Sequence, residues 1–321
     1  MRFGLIEEKN GKKKYMAAVP GGHAVPGGHA VLPVTVIEGA ADGPRVLITA
    51  GIHGGEYPGI AASMEIAAML SPADIAGTLT LVHAANPGAF WARRPELNEE
   101  DGKNLNREFP GNPNGTATQR LAYFLNTEFI SRADFYMDLH SGDIHEDLCA
   151  HVYYSKACAA EVSRASREMA LAAGVPYAVP SLASGGAYNY AAFSGVPAIL
   201  VEHGGNGICG NDDVKAHRDD ILRVLRYVGC LVNPALFAAE AERPPEEVKK
   251  VIYVEAEEDS CWRTELTQGA RVRKGDVLGV TTDLFGAVRK VYTAEEDGVL
   301  LYINTSLALL RGKTAAAYAV L

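Results

Sequence analysis

Three short apolar runs in this chain each end on a polar residue that such a strand has no packing reason to carry. Arg45-Val-Leu-Ile-Thr-Ala50 passes through Gly51 to His53 and Glu56. Phe135-Tyr-Met-Asp-Leu139 runs into His140, and Ala198-Ile-Leu-Val201 runs into Glu202. Each run is β-branched or apolar and bounded by glycine, which reads as a buried strand. After the first, Tyr57-Pro58 opens a segment with Ile60, Met64, Ala67, Ala68 and Leu70 at helical spacing. A proline in the first turn is a helix start signal. Ligand groups at the C-terminal ends of buried strands are characteristic of open α/β sheets.

His53-Gly-Gly-Glu56 places a histidine and a carboxylate about one helical turn apart, and Asp138-Leu-His140 brings a second histidine from another strand. Two histidines and one carboxylate leave the fourth position of a tetrahedral ion open, the ligand set of a hydrolytic zinc rather than a structural one. Taken singly, each piece is commonplace; three strand ends together favour a site. Asp138 shares a face with His140 on a strand, so it is a candidate for orienting that ring, beside a plain strand-end hydrogen bond. His203 should point to the face opposite Glu202, and His83 should pack. Tyr188 and Tyr190, after Gly185-Gly186, either close over a substrate or pack. Asp143, His145, Glu146, Asp147 and His151 read as a solvated loop rather than as a pocket wall or a second metal site.

A further stretch identifies a resemblance. Asn86-Pro-Gly-Ala-Phe90 is followed by Arg93-Arg94 and by Asp101-Gly-Lys-Asn-Leu-Asn-Arg-Glu-Phe-Pro-Gly111. With His53-Gly-Gly-Glu56, Asp138-Leu-His140 and the strand into Glu202, these pieces resemble, in order and over roughly residues 45 to 205, the succinylglutamate desuccinylase/aspartoacylase family of the zinc carboxypeptidase superfamily. The resemblance implies one Zn2+ per chain held by His53, Glu56 and His140. It implies Glu202 as the general base acting on the zinc-activated water, and Asn106 and Arg107 as the pair that holds a substrate carboxylate. One of Arg93 and Arg94 should polarise the scissile carbonyl. Arg93 has the more natural offset from Asp101-Gly102, which leaves Arg94 among the substrate-binding residues.

The chemistry is coherent with those residue types. Zinc lowers the pKa of bound water from ~16 to about 7. A carboxylate within reach takes the remaining proton and returns it to the leaving amine. Arginine offers fixed donors to a developing oxyanion, and pairs with a carboxylate in a bidentate geometry that lysine cannot copy. The expected reaction is hydrolysis of the amide bond of an N-acyl amino acid or similar small carboxylate. A metallocarboxypeptidase or peptide amidase is the alternative. A noncatalytic zinc- or ligand-binding protein is the third reading, disfavoured by the full set of Glu202, Asn106 and Arg107.

From Pro44 to about Pro234 the pattern alternates strands and helices, with helices expected over 118–130, 157–173 and 219–231. This predicts a three-layer α/β/α domain with a mixed sheet; the resemblance makes it carboxypeptidase-like. Pro244-Pro245 and the charges around them interrupt the pattern. Beyond them come short strands separated by Gly and Asp turns. Lys274-Gly-Asp-Val-Leu-Gly279 and Asp297-Gly-Val-Leu300 resemble the turns of a biotinyl/lipoyl-like barrel, without a lysine-bearing hairpin tip for a prosthetic group. The expected division is residues 1–240, including an N-terminal β segment 1–43, and a C-terminal β domain over 241–321. Ala18-Val-Pro-Gly-Gly-His23 recurs residue for residue as Ala24-Val-Pro-Gly-Gly-His29, which reads as a local duplication in a permissive loop.

A chain of 321 residues is long enough for two such domains. Its net charge of −9 argues against nucleic acid or an anionic membrane as partner. No apolar run reaches the ~18 residues of a membrane span, and the first residues lack a signal-peptide pattern. Five scattered cysteines without a CxxC suit reduced thiols. The expectation is a cytoplasmic enzyme with a small-molecule carboxylate substrate; nothing in the sequence excludes a homo-oligomer.

Overall fold

The computed structural model describes residues 3–9, 11–20, 31–239, 241 and 243–321. Residues 21–30, with most of the tandem Ala-Val-Pro-Gly-Gly-His copies, lie outside that set.

The strands of the first part are β1 (Phe3–Lys9), β2 (Lys12–Ala18), β3 (Val31–Glu38), β4 (Ala41–Ala50), β5 (Ala76–Val82), β6 (Phe135–His140), β7 (Glu146–Leu148), β8 (His151–Ser155), β9 (Tyr177–Ser181), β10 (Ala198–Glu202) and β11 (Glu246–Glu247). All except β7 form one ten-stranded sheet, in the order β1-β2-β3-β5-β4-β6-β10-β8-β9-β11. Its centre is parallel from β5 through β4 and β6 to β10. Strand β8 runs antiparallel to β10, and β1 to β3 extend the other edge as an antiparallel meander. The helices are α1 (Tyr57–Met69), α2 (Pro87–Trp91), α3 (Ala117–Glu128), α4 (Ala160–Ala172), α5 (Ala187–Phe193) and α6 (Asn211–Tyr227).

Alternation along the strands builds two cores. On β4, Val46, Ile48 and Ala50 face one side, where Ile60 and Ile66 of α1, Met169 of α4 and Ile221 of α6 cover them. Leu47 faces the other side, against Leu121 and Leu125 of α3 and Ala191 of α5. This is the layered α/β arrangement with a mixed sheet that the periodicity predicts. Helix α6 starts eight residues earlier than expected. Its first turn carries Asp212 and Asp213, acids that favour a helix N-terminus but break the apolar pattern.

The C-terminal part contributes β12 (Lys250–Glu255), β13 (Ser260–Arg263), β14 (Arg271–Val272), β15 (Val277–Thr282), β16 (Val288–Thr293), β17 (Gly298–Asn304), β18 (Ala308–Leu309) and β19 (Thr314–Val320). They form two antiparallel sheets, ordered β12-β19-β17-β14 and β16-β15-β13-β18. Trp262, Leu278, Tyr292, Leu300 and Tyr318 fill the core between them.

Strand pairing joins the two parts: β7 of the first pairs with β17 of the second, Leu148 opposite Tyr302, and β11, beside β9 at the edge of the large sheet, leads on to β12. Tyr177 and Val179 of the large sheet pack with Val248, Val299, Leu301 and Ala319 in one apolar cluster. Because pairing and packing both cross this joint, the chain should unfold as a single unit. Leu301 is fully buried in that joint, so Leu301→Ala should lower the unfolding free energy by ~2–5 kcal/mol. Its near- and far-ultraviolet circular dichroism transitions should still coincide in a denaturant titration. Two resolved transitions in the parent protein would contradict a shared core.

Candidate functional site

The parallel strands end together, and the turns that leave them meet. His53 sits in the turn after β4 and Glu56 is the residue on which α1 begins. Two glycines allow this approach. A Cβ on Gly54 would stand 2.3 Å from the Ala89 carbonyl carbon, and one on Gly59 would stand 2.7 Å from Leu139 Cβ. Asn86 braces the same turn: its Nδ2 donates to the Ile52 carbonyl at 3.4 Å, while its Oδ1 accepts from Asn98 Nδ2 at 3.1 Å.

Glu56 is the focus. One carboxylate oxygen lies 2.6 Å from His53 Nδ1, and the other lies 2.8 Å from His140 Nδ1 and accepts from the Ser141 backbone N–H at 3.2 Å. The second nitrogens of both rings are held from outside. His53 Nε2 meets Asn104 Oδ1 at 3.2 Å, and His140 Nε2 meets Asp138 Oδ2 at 3.2 Å. Asp138 is fully buried and also accepts from Thr49 Oγ1 at 2.6 Å, so it does orient His140, as its place on the strand allowed. Burial alone would raise the Glu56 carboxyl, but His53 and His140 outweigh it and hold it at about 2. Burial disfavours a charged His140, yet Asp138 and Glu56 raise it well above the ordinary histidine range. One donor atom from each of His53, Glu56 and His140 lies within 4.8 Å of the others. An ionised carboxylate and two imidazoles, each with its far nitrogen anchored, fit a divalent zinc in donor type and in outer support.

These three residues line a cavity of about 360 Å³ together with Asn106, Arg107 and Glu202. Glu202 stands level with His140 across β10 and β6. Its Oε2 is buried without a hydrogen-bond partner among the described residues. Burial, opposed by His140 and reinforced by Glu56 and Glu146, pushes its carboxyl up to about 8. Asn106 is buried, and its Oδ1 accepts from the Ala187 N–H at 2.8 Å at the start of α5, which leaves its Nδ2 for the cavity. Arg107 is exposed at the rim, with Nη1 donating to the Asn106 carbonyl at 3.3 Å.

Arg93 and Arg94 are placed differently from the other expected residues. Both are exposed, Arg93 in a left-handed turn (φ 55°), and neither lines the cavity. His203 turns to the opposite face, with Nε2 2.7 Å from Asp220 Oδ2. His83 packs between Thr35 and Ser63, and Tyr188 is buried on α5.

Asp143, Glu146 and His151 do line the cavity, so the reading of 143–151 as solvated loop is corrected at those positions. His151 belongs to strand β8 and is buried; the charged run before it hid the strand. Other walls lay beyond any motif. Tyr253 of β12, Tyr302 of β17, Thr314 of β19 and Lys313 in the turn before it all face the same space. Lys313 Nζ lies 3.1 Å from Glu96 Oε1, which ties the C-terminal part to the loop after α2. A larger hollow of about 740 Å³ around Trp262, Leu266 and Leu278 lies elsewhere and contains no histidine or metal-ligand cluster.

Known proteins share this sequence pattern and fold. The profile of the succinylglutamate desuccinylase/aspartoacylase catalytic domain matches residues 42–228. The N-alpha-acetyl-L-2,4-diaminobutyric acid deacetylase of Halomonas elongata is 30% identical over 298 residues, 90% of this chain and 85% of that protein. The product-bound structure of the ectoine utilization protein EutE (DoeB) from Ruegeria pomeroyi superposes with a TM-score of 0.89 at 27% identity, covering 99% of both chains. A succinylglutamate desuccinylase from Silicibacter sp. TM1040 superposes with a TM-score of 0.84 at 25% identity, covering 100% of this chain and 99% of the other.

The buried carboxylates give the metal-free protein a pH signature. Burial, opposed by the Asp143 backbone N–H and reinforced by the charges of Asp143 and Glu56, pushes the Glu146 carboxyl up to about 7. A carboxyl raised on folding binds more protons in the folded than in the unfolded state between its unfolded pKa of about 4.3 and 7. Stability therefore falls as pH rises through that window. In chelator-treated protein, Glu146→Gln should flatten the fall in melting temperature between pH 5 and pH 7.5. An unchanged slope would contradict the burial assigned to this carboxyl.

Proposed function

This chain belongs to the succinylglutamate desuccinylase/aspartoacylase family, and from that premise we propose that it is a zinc-dependent amidohydrolase acting on N-acylated amino acids. The observation that carries the proposal is the convergence of His53 and His140 on Glu56, with the unpartnered Glu202 oxygen in the same cavity. Zinc held by His53, Glu56 and His140 would supply a Lewis acid for the scissile carbonyl and a water that is nucleophilic near neutral pH.

The chain's own residues perform the rest. Glu202 takes the proton of the attacking water and returns it to the leaving nitrogen; its half-buried carboxyl, level with His140 in the same cavity, is placed for both transfers. Arg107 pairs with the substrate carboxylate at the rim, and Asn106 Nδ2 donates beside it. The carbonyl-polarising role expected of Arg93 or Arg94 would need the segment after α2 to swing inward. In the present arrangement the lining cations are Arg107 and Lys313.

Charge narrows the substrate. With Glu56 on the zinc and Glu96 paired to Lys313, Asp143 and Glu146 remain on the cavity wall as acceptors for a side-chain amine. The Halomonas relative acts on N-acetylated 2,4-diaminobutyric acid, and that compound fits: its carboxylate to Arg107, its free amine to Asp143 or Glu146. The peptidase alternative is disfavoured because Tyr253, Tyr302, Lys313 and Thr314 wall in the space and leave about 360 Å³, at the small end of ligand pockets.

A panel of N-acetyl amino acids, N-succinyl amino acids and short peptides tests the reading. Zinc-loaded protein should release a free amino acid from an N-acetyl amino acid, and chelation should abolish the release. Glu202→Gln should keep its zinc while kcat falls by ~10²–10⁴-fold. Cleavage of peptides alone would transfer the activity to a carboxypeptidase, and full activity of Glu202→Gln would refute its role as the base.

A further inference from the structure

His151 has no role in the mechanism above, yet its surroundings are unusual for a core histidine. Strand register places it level with Glu202 across β8 and β10, as Glu202 is level with His140 across β10 and β6. Level residues on adjacent strands share a face and stand about 5 Å apart. His140, Glu202 and His151 therefore form a row along the strand ends, with Glu202 in the middle. His151 is 1% exposed and lines the cavity. Its ring is fixed edge-on against Tyr153, with centroids 4.8 Å apart.

The hydrogen bonds settle which nitrogen carries the proton. Nδ1 lies 2.7 Å from the Cys149 carbonyl oxygen. A carbonyl only accepts, so Nδ1 donates. Burial pushes the ring down to about 4, so it is neutral and Nε2 holds a lone pair. That Nε2 is buried without a partner among the described residues, as is Glu202 Oε2 in the neighbouring place. A buried lone pair with no donor is unfavourable; beside the Glu202 carboxyl it suits a ligand group with several N–H bonds.

We propose that His151 Nε2 is a second acceptor for the nitrogen that leaves on amide hydrolysis, binding the released amine together with Glu202. The proposal rests on the amidohydrolase reading. As the oxygen of water bonds to the acyl carbon and the C–N bond breaks, the nitrogen takes the proton that Glu202 removed from water. It becomes an amine with more N–H bonds than the amide had. His151 accepts one of them, so its contribution grows towards the product side of the reaction. It is a catalytic residue in the strict sense, since it touches a reacting atom.

Two measurements test this. The first is turnover of Nα-acetyl-2,4-diaminobutyrate by zinc-loaded protein. His151→Phe should keep its zinc and fold and lose about ten- to a hundredfold in kcat, with a much smaller change in KM. His151→Gln, whose amide oxygen can accept near the Nε2 position, should recover a large part of the loss. The second is calorimetric binding of 2,4-diaminobutyrate and of 4-aminobutyrate, which lacks only the α-amine. The parent protein should prefer the diamine and His151→Phe should lose the preference. If the phenylalanine variant does not fold, His151→Leu carries the same comparison. Wild-type kcat and an unchanged preference in the apolar variant would overturn the proposal. Absence of turnover by the parent protein on every acyl compound would instead fail the amidohydrolase reading, and the α-amine preference would still decide the fate of His151.

Discussion

The structure depends on one buried carboxylate. Glu56 is shared between His53 and His140, 2.6 Å from one ring and 2.8 Å from the other. An ionised group in that position is unfavourable unless it is surrounded by donors or a cation. The turn that carries it is close-packed through Gly54 and Gly59, its two histidines are anchored by Asn104 and Asp138, and β6 must lie beside β4 to bring His140 within reach. Strand order, helix start and outer hydrogen bonds all serve this contact. A sheet with a different order could keep its hydrophobic core and lose the site.

That dependence explains what was legible from sequence. His53, Glu56, His140 and Glu202 stand at strand ends, where an apolar run makes a polar residue conspicuous, and Asn106 and Arg107 lie in a recognisable run; all six meet in one cavity. Other features had no such marker. Arg93 and Arg94 are close to the site in sequence, but the left-handed turn at Arg93 leaves both on the surface. His151 was masked by the charged residues before it, because a five-residue strand shows too little alternation to stand out. Lys313, Tyr253 and Tyr302 reach the cavity through the joint between the two parts, which includes the pairing of β7 with β17, contacts between distant segments that local pattern does not encode.

The C-terminal strands show the same limit. Several were visible as apolar runs between Gly and Asp turns. Strand β19 was not, because Thr-Ala-Ala-Ala-Tyr-Ala-Val is rich in alanine, a poor strand former. It nevertheless lies inside its sheet, between β12 and β17, with Ala315, Ala317 and Tyr318 fully buried. Burial on both faces overrides propensity there. The outcome matters for function, since the turn entering β19 presents Lys313 to Glu96 and helps to close the site. The C-terminal part is thus a wall of the cavity as well as an appended fold.

The central claim is that His53, Glu56 and His140 hold one catalytic zinc ion. Anomalous diffraction from crystals grown with zinc, recorded on both sides of the zinc absorption edge, tests it most directly. The account predicts one peak per chain, in bonding contact with all three side chains and beside Glu202. A zinc-saturated crystal with no peak there, or with its only peak on other residues, would contradict it.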